Sequence, residues 1–244
     1  MTLNSLSGLS SGAKETSVRS FDPPPVKGCV YCTTFLQSTY VPIHPWDSVI
    51  EDGAGYSVVP TKGALVPGWL LVVGKKHLLC SAALGGGDFE DFASGVYRAR
   101  RMVESMFGAA TLFENGPSKE AMSIGCGIDH VHMHVVPLRF SLTEAARRMY
   151  PSLVDWQPCG GLEQLRRTHR VGTPYIYIEE PNSAPLFAIP RKHSSQMLRR
   201  VIAREVGRRD SWDYSRYDGA ANAERTLVAL RPIGSTSRLG RFRQ

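Results

Sequence analysis

The stretch His130-Val131-His132-Met133-His134-Val135-Val136 constrains the fold of this chain more than any other. Strict alternation of polar and apolar residues is the period of a β-strand with one buried face. The strand predicted over 130–136 turns Val131 and Met133 to one side and all three imidazoles to the other. Neighbouring imidazoles then sit about 6.6 Å apart at their Cα atoms, from a rise of roughly 3.3 Å per residue, so the row can surround a single phosphate group. Such a row suits phosphorus chemistry, because at neutral pH one neutral ring can attack while another donates to oxygens gaining charge. Two plainer readings stand beside it: satisfied strand histidines, or a cluster that only binds metal.

A strand of this kind needs neighbours, and the sequence offers them. Tyr56 to Pro60 and Leu70 to Val73 read as two strands joined by a turn over Thr61 to Gly68. Thr111 to Phe113 reads as another, separated from the histidine strand by the glycine-containing stretch Asn115 to Gly127. Between them, Phe89, Phe92, Val96, Val103, Met106 and Phe107 recur at helical spacing over Asp88 to Phe107, with Arg98, Arg100 and Arg101 opposite. Ser141 and Glu144 form a capping-box pattern for a short helix through Met149. Further on, Tyr175 to Ile178 and Leu186 to Ile189 read as a hairpin. A helix over Ser194 to Val206 follows, with an apolar stripe of Leu198, Val201, Ile202 and Val206. Arg199, Arg200 and Arg204 are placed on its solvated faces. The expected fold class is α+β: an antiparallel sheet flanked by helices, with a C-terminal α/β extension.

At 244 residues and 42% hydrophobic, the chain can bury a proper core. Residues 1–20 are rich in Ser and Gly and are expected to be a disordered arm, since nothing there repays the entropy of ordering. The run Asp22-Pro23-Pro24-Pro25 stiffens the approach to the folded part. Residues 21–150 are expected to form a nucleotide-binding catalytic domain, 151–230 an extension packed on it, and 231–244 a flexible basic tail. No stretch has the length and apolarity of a membrane span, and the N-terminus lacks a signal-peptide pattern, so the expected setting is cytoplasmic, with no membrane partner.

Of the formal charge of +7, four units come from Arg231, Arg238, Arg241 and Arg243 and one from residues 1–28, which leaves only two on the body. A nearly balanced body with a basic tail is weak evidence for a polyanion surface and is compatible with a nucleotide substrate; a nucleic-acid partner is not favoured. The odd set of cysteines, Cys29, Cys32, Cys80, Cys126 and Cys159, points to thiols or metal ligands and not to a disulfide framework. Only Cys29 and Cys32 are spaced to grip one tetrahedral ion from a tight turn. The alternatives are two unrelated cysteines or a redox pair, which would want a helix starting at the motif and a strand before it.

Every position of 130–136 matches the pattern of alternating histidines and apolar residues that names the histidine triad superfamily, and residues 29–140 resemble that family more broadly. Tyr56 to His77 is similar to its paired strands ending in a basic residue and histidine. Phe113-Glu114-Asn115-Gly116 is similar to its phosphate-side strand. The resemblance implies that His132 attacks the α-phosphorus of a nucleotide or nucleotide-sugar substrate and carries the nucleotidyl group until an acceptor releases it. It further implies that His134 binds the phosphate oxygens and that Asn115 holds the phosphate or ribose side. In zinc-bearing members the arrangement implied is Cys29, Cys32, His77 and His130 around a structural zinc. Retention of His134 sets the chain apart from the galactose-1-phosphate uridylyltransferase branch, which has glutamine there. Trp69 departs from the pattern, since many members carry a histidine after the glycine corresponding to Gly68. Phe187 to Tyr217, with Arg199-Arg200-Val201-Ile202-Ala203 and Trp212-Asp213-Tyr214, is loosely similar to the C-terminal region of splicing-associated proteins of the CwfJ type. That likeness implies a rival role as an RNA-binding or complex-assembly module, with Trp212 or Tyr214 stacking on bases. The plainer reading has both aromatics packing onto the core. Either a monomer or a homodimer fits, since the second half can stand in for the partner that smaller members find by dimerising.

Overall fold

The computed structural model describes residues 26, 28–35, 41–120, 128–152, 155–170, 172–191 and 194–230. The expected arm over 1–20, the tail over 231–244 and Cys126 lie outside them. In chain order come helix α1 (Val30–Phe35), strands β1 (Glu51–Asp52), β2 (Tyr56–Pro60) and β3 (Leu70–Gly74), the long helix α2 (Gly86–Phe107), β4 (Ala110–Gly116), β5 (His132–Pro137) and helix α3 (Leu142–Met149). The C-terminal third adds β6 (Gln157–Pro158), α4 (Leu162–Thr168), β7 (Tyr175–Glu179), β8 (Leu186–Ala188), α5 (Met197–Glu205) and α6 (Ala220–Leu230). The fold is α+β. All eight strands pair antiparallel in one sheet of order β1-β2-β3-β5-β4-β7-β8-β6, flanked by helices.

Strand alternation sorts the side chains into two layers. Val58, Val72, Leu112, Met133 and Val135 face Phe89, Phe92, Val96, Ala99 and Val103 of α2 and form one core. The opposite face carries Phe113, Ile176 and Ile178, covered by Leu142 and Ala146 of α3 and by Leu198, Val201 and Ile202 of α5. Beside them Val59, Leu71 and Val73 pack against Tyr31 of α1. His132 and His134 alternate with Met133 and so lie on this second face, opposite Val73 and Leu71 of β3. The long helix approaches the sheet closely at Gly95, where an added Cβ would lie 2.5 Å from the Tyr56 ring. Met106, expected on its apolar stripe, is 54% exposed at the last turn.

The cap of α3 is half a capping box. Ser141 Oγ accepts from Glu144 N at 3.1 Å, while the Glu144 carboxylate pairs with Arg147. Two expectations need correction. The Cys29 to Cys32 segment is not a bare turn: it opens α1, with Thr33 N donating to Cys29 O at 3.1 Å. Arg199 is not solvated but 1% exposed, because it sits one turn before Ile202 and Ala203 on the buried side of α5. Trp212 is half-buried against the second core, as the packing reading expects.

Candidate active site

Three elements meet around the histidine strand. β5 presents His132 and His134, and His130 lies just before it, since the strand expected over 130–136 begins only at His132; all three are at most 6% exposed. The helix α1 brings Cys29, Tyr31 and Cys32 over one end of the row, and α5 brings Arg199 to the other.

At the first end, the Nδ1 of His130 lies 3.4 Å from Cys29 Sγ and 3.7 Å from Cys32 Sγ, and His77 Nδ1 lies 3.3 Å from Cys32 Sγ. All four ligand atoms fall within 4.8 Å of one another, and the cluster could hold a metal ion. His130 is oriented from behind. Its Nε2 is 2.6 Å from the carbonyl oxygen of Gly74, which can only accept, so the ring carries its proton on Nε2 and turns the Nδ1 lone pair to the sulfurs. Burial, with His77 and His132 nearby, pushes the His130 pKa down to about 4, so the ring is neutral and able to ligate at pH 7. The four residues singled out in the sequence as a ligand set are therefore brought together.

The middle histidine obeys the same logic with the opposite outcome. His132 Nδ1 lies 2.7 Å from the carbonyl oxygen of His130. The carbonyl again accepts, so Nδ1 carries the proton and Nε2 keeps the lone pair. Burial lowers the pKa of His132, which favours this neutral form. Tyr31 tilts its ring over His132 at 6.2 Å between centroids.

His134 is held by aromatic neighbours. Phe113, paired with it across β4 and β5, stacks at 4.2 Å between centroids and 13° between planes. Trp69 donates its indole N–H to His134 Nδ1 at 3.1 Å. The His134 pKa is held well below the usual imidazole range by burial, then by His132 and the Arg199 charge. Asn115, two residues beyond Phe113 on β4, is buried and shares the Phe113 face by alternation. The strand register thus keeps Asn115 on the triad side of the sheet.

A small cavity at this place is lined by Tyr31, Lys62, His132, His134, Arg199 and Tyr214, with Thr61, Leu71 and Ile128. Reading the sequence missed Lys62, placed Arg199 on a solvated face, and offered Tyr214 only as a base-stacking residue of the rival reading. The signal for Arg199 was its position one turn from Ile202 and Ala203. Nothing local marked Lys62, which arrives from a turn, or tied Tyr214, from a loop, to the histidines. Gly63 makes their approach feasible: at φ +74°, an added Cβ would meet Arg199 Nη2 and Tyr214 Cβ, each at 2.6 Å.

No protein-family model matches the sequence, and no curated protein matches it. Solved structures that match include two of the yeast Ap4A phosphorylase Apa2. The one in complex with AMP is 11% identical with a TM-score of 0.34, over 59% of this chain and 58% of that one. The other is 10% identical with a TM-score of 0.35, over 72% of this chain and 74% of that one. The chain thus spans little more than half of the first of these structures. Among the described residues, no helix is long and apolar enough to cross a membrane.

Proposed function

We propose that this chain is a nucleotide hydrolase or nucleotidyltransferase of histidine triad type, acting at the α-phosphorus of a nucleotide through a nucleotidyl-His132 intermediate. The observation that carries the reading is the His132 tautomer. A neutral ring with its proton tied to the His130 carbonyl presents a nucleophilic Nε2 with no separate base needed to expose it. The Nε2 lone pair forms the N–P bond as the bond from phosphorus to the leaving oxygen or nitrogen breaks, and the leaving group departs with that electron pair. Water or another acceptor then attacks phosphorus, gives up its proton, and returns the electron pair to His132. His134 donates from Nε2 to a phosphate oxygen, and Asn115 holds the phosphate or ribose side. Preorganised donors are worth most in a buried pocket such as this one. Residues 21–150 serve as the catalytic domain and 151–230 as the extension that closes its pocket.

The metal is assigned as structural zinc, held by Cys29, Cys32, His77 and His130. Zinc–sulfur bonds of about 2.3 Å and zinc–nitrogen bonds of roughly 2.05 Å at tetrahedral angles place neighbouring sulfur and nitrogen ligands about 3.6 Å apart. Three of the four sulfur–nitrogen separations, 3.3, 3.4 and 3.7 Å, fit that spacing. Zinc would join α1 to the triad strand, leaving the reaction to His132 and His134. The rival assembly-module reading has less support, because the Arg200 guanidinium lies 3.3 Å from the centre of the Trp212 ring and covers the face a base would need.

The deciding experiment is intact-protein mass spectrometry after brief incubation with nucleoside diphosphate sugars, dinucleoside polyphosphates and nucleoside phosphoramidates. A nucleoside monophosphate adduct on the wild type, absent in His132→Ala, is expected. No adduct and no substrate loss across the panel would overturn the enzymatic reading.

A further inference from the structure

Trp69 changes what His134 can do. The indole is fully buried, and its N–H is a donor with no acceptor capacity. At 3.1 Å from His134 Nδ1, it requires that nitrogen to be unprotonated, so the neutral ring carries its proton on Nε2. A second proton on Nδ1 would set two N–H groups head to head. Phe113, nearly parallel to the imidazole at 4.2 Å, holds the ring plane and opposes a flip that would exchange the nitrogens.

Arg199 backs this pair from α5. Its guanidinium lies 4.9 Å over the Trp69 ring. It is fixed there by Nε donating to Trp212 O at 3.0 Å and Nη2 donating to Gly63 O at 2.6 Å. A cation over the indole face is attracted to it and polarises the N–H toward stronger donation. The same charge adds to burial and His132 in opposing an imidazolium at His134, whose pKa lies well below the usual imidazole range.

We propose that Trp69 and Arg199 are positioning residues of the triad: Trp69 fixes His134 as an Nε2–H donor, and Arg199 supplies the positive charge that a protonated His134 would otherwise provide. The proposal rests on the nucleotidyl-transfer reading above and deepens it. His134 then directs one N–H at a phosphate oxygen without changing protonation between pH 5.5 and 8. Besides Trp69 and Phe113, the groups around it are His132 and Arg199, with Lys62, Tyr31 and Tyr214 in the same cavity.

Nitrogen-15 NMR of the histidine rings in the full chain tests this in the wild type, Trp69→Phe, Arg199→Gln and Arg199→Lys. Wild-type His134 is expected to show the Nε2–H tautomer and no titration from pH 8 to 5.5. In Trp69→Phe it should become a tautomer mixture or titrate within that window, while His132 keeps its Nδ1–H signature as the mark of an intact pocket. A wild-type His134 that titrates, or carries its proton on Nδ1, overturns the proposal even where a variant fails to fold. So does a Trp69→Phe spectrum identical to the wild type. Transfer to His132 should fall about 10²-fold in Trp69→Phe, as expected for a misplaced group. It should fall similarly in Arg199→Gln and be largely restored in Arg199→Lys; a wild-type rate in Arg199→Gln removes the charge assignment. A wild type that forms no adduct overturns the catalytic reading of His132, whereas the spectra judge the Trp69 assignment independently.

Discussion

At the scale of single residues, what each triad histidine is hydrogen-bonded to sets its tautomer. Carbonyl oxygens fix His130 and His132 through opposite ring nitrogens, and an indole fixes His134. Burial makes each of these choices costly to reverse. It has a consequence for stability through His134, whose pKa is held well below the ordinary imidazole range. The unfolded chain takes up a proton near pH ~6.5 that the folded chain refuses. The stabilising contribution is therefore complete above that pH and declines as pH falls, by up to about 1.4 kcal/mol per pH unit for one such histidine. Thermal melts of wild type and His134→Asn at pH 7.5 and 5 should show the smaller acid-induced drop in the variant; equal drops would refute the assignment. On the other face of the sheet, the carboxylate of buried Glu114 accepts from Ser81 N at 2.7 Å, Ser81 Oγ at 2.5 Å and Tyr175 Oη at 2.7 Å. Tyr175→Phe removes one donor from a buried acid and should lower stability by about 1–3 kcal/mol in urea unfolding, with nucleotidyl transfer retained. A loss well under 0.5 kcal/mol would show that solvent or a shifted neighbour replaces the hydroxyl.

At the scale of elements, α1 is six residues long, too short to be stable by itself, and what holds it is packing through Tyr31 and the ligand cluster. Removing the zinc proposed for this cluster should therefore loosen this end of the molecule before the sheet. One zinc per chain is expected by elemental analysis, lost in Cys32→Ser. A chelator should speed amide exchange over 30–35 and lower the thermal midpoint, by roughly 2–4 °C for each kcal/mol lost at this chain length. Metal-free protein with unchanged exchange in α1 would count against the cluster as the anchor. The elements legible in the sequence were those whose period is written locally: β2, β3, α2, β4, the histidine strand, α3, the β7–β8 hairpin and α5. α1 was not legible, because a helix of six residues shows less than two turns of pattern and its stabilising partners, His77 and His130, are remote in sequence. α6 escaped for a different reason. Its buried positions are Asn222, Ala223 and Thr226, which are small or polar and write no apolar stripe. The cationic end of the pocket was hidden because Arg199 reads as surface until Gly63, Trp69 and Trp212 are known to surround it.

At the scale of the whole molecule, the last helix holds the turn that shapes the pocket. Asn222 Nδ2 donates to Ala64 O at 2.8 Å, and Thr226 Oγ1 accepts from Gly68 N at 2.7 Å while donating to Asn222 O at 2.7 Å. Gly63 N donates to Asp218 O just before the same helix. The bonds to Gly63, Ala64 and Gly68 join residues more than 150 positions apart and fix both ends of the 61–68 turn, which carries Lys62 and Gly63 and leads directly into Trp69. The buried hydroxyl of Thr226 is the central link. Thr226→Val keeps the side-chain shape and leaves the Gly68 N–H buried without its acceptor, a loss of about 1–3 kcal/mol. Because that amide adjoins Trp69, the same variant should also disturb the His134 ring signal and slow transfer to His132, although residue 226 has no contact with the triad. Asn222→Ala, acting at Ala64, should weaken the turn by a similar amount and disturb the Arg199 end more than the Trp69 end. Urea unfolding together with histidine-ring NMR on both variants separates the possibilities: destabilisation with an unmoved His134 signal would confine α6 to general packing. Destabilisation with a shifted signal would mean that the C-terminal helix sets the geometry of a pocket whose histidines lie some ninety residues before it.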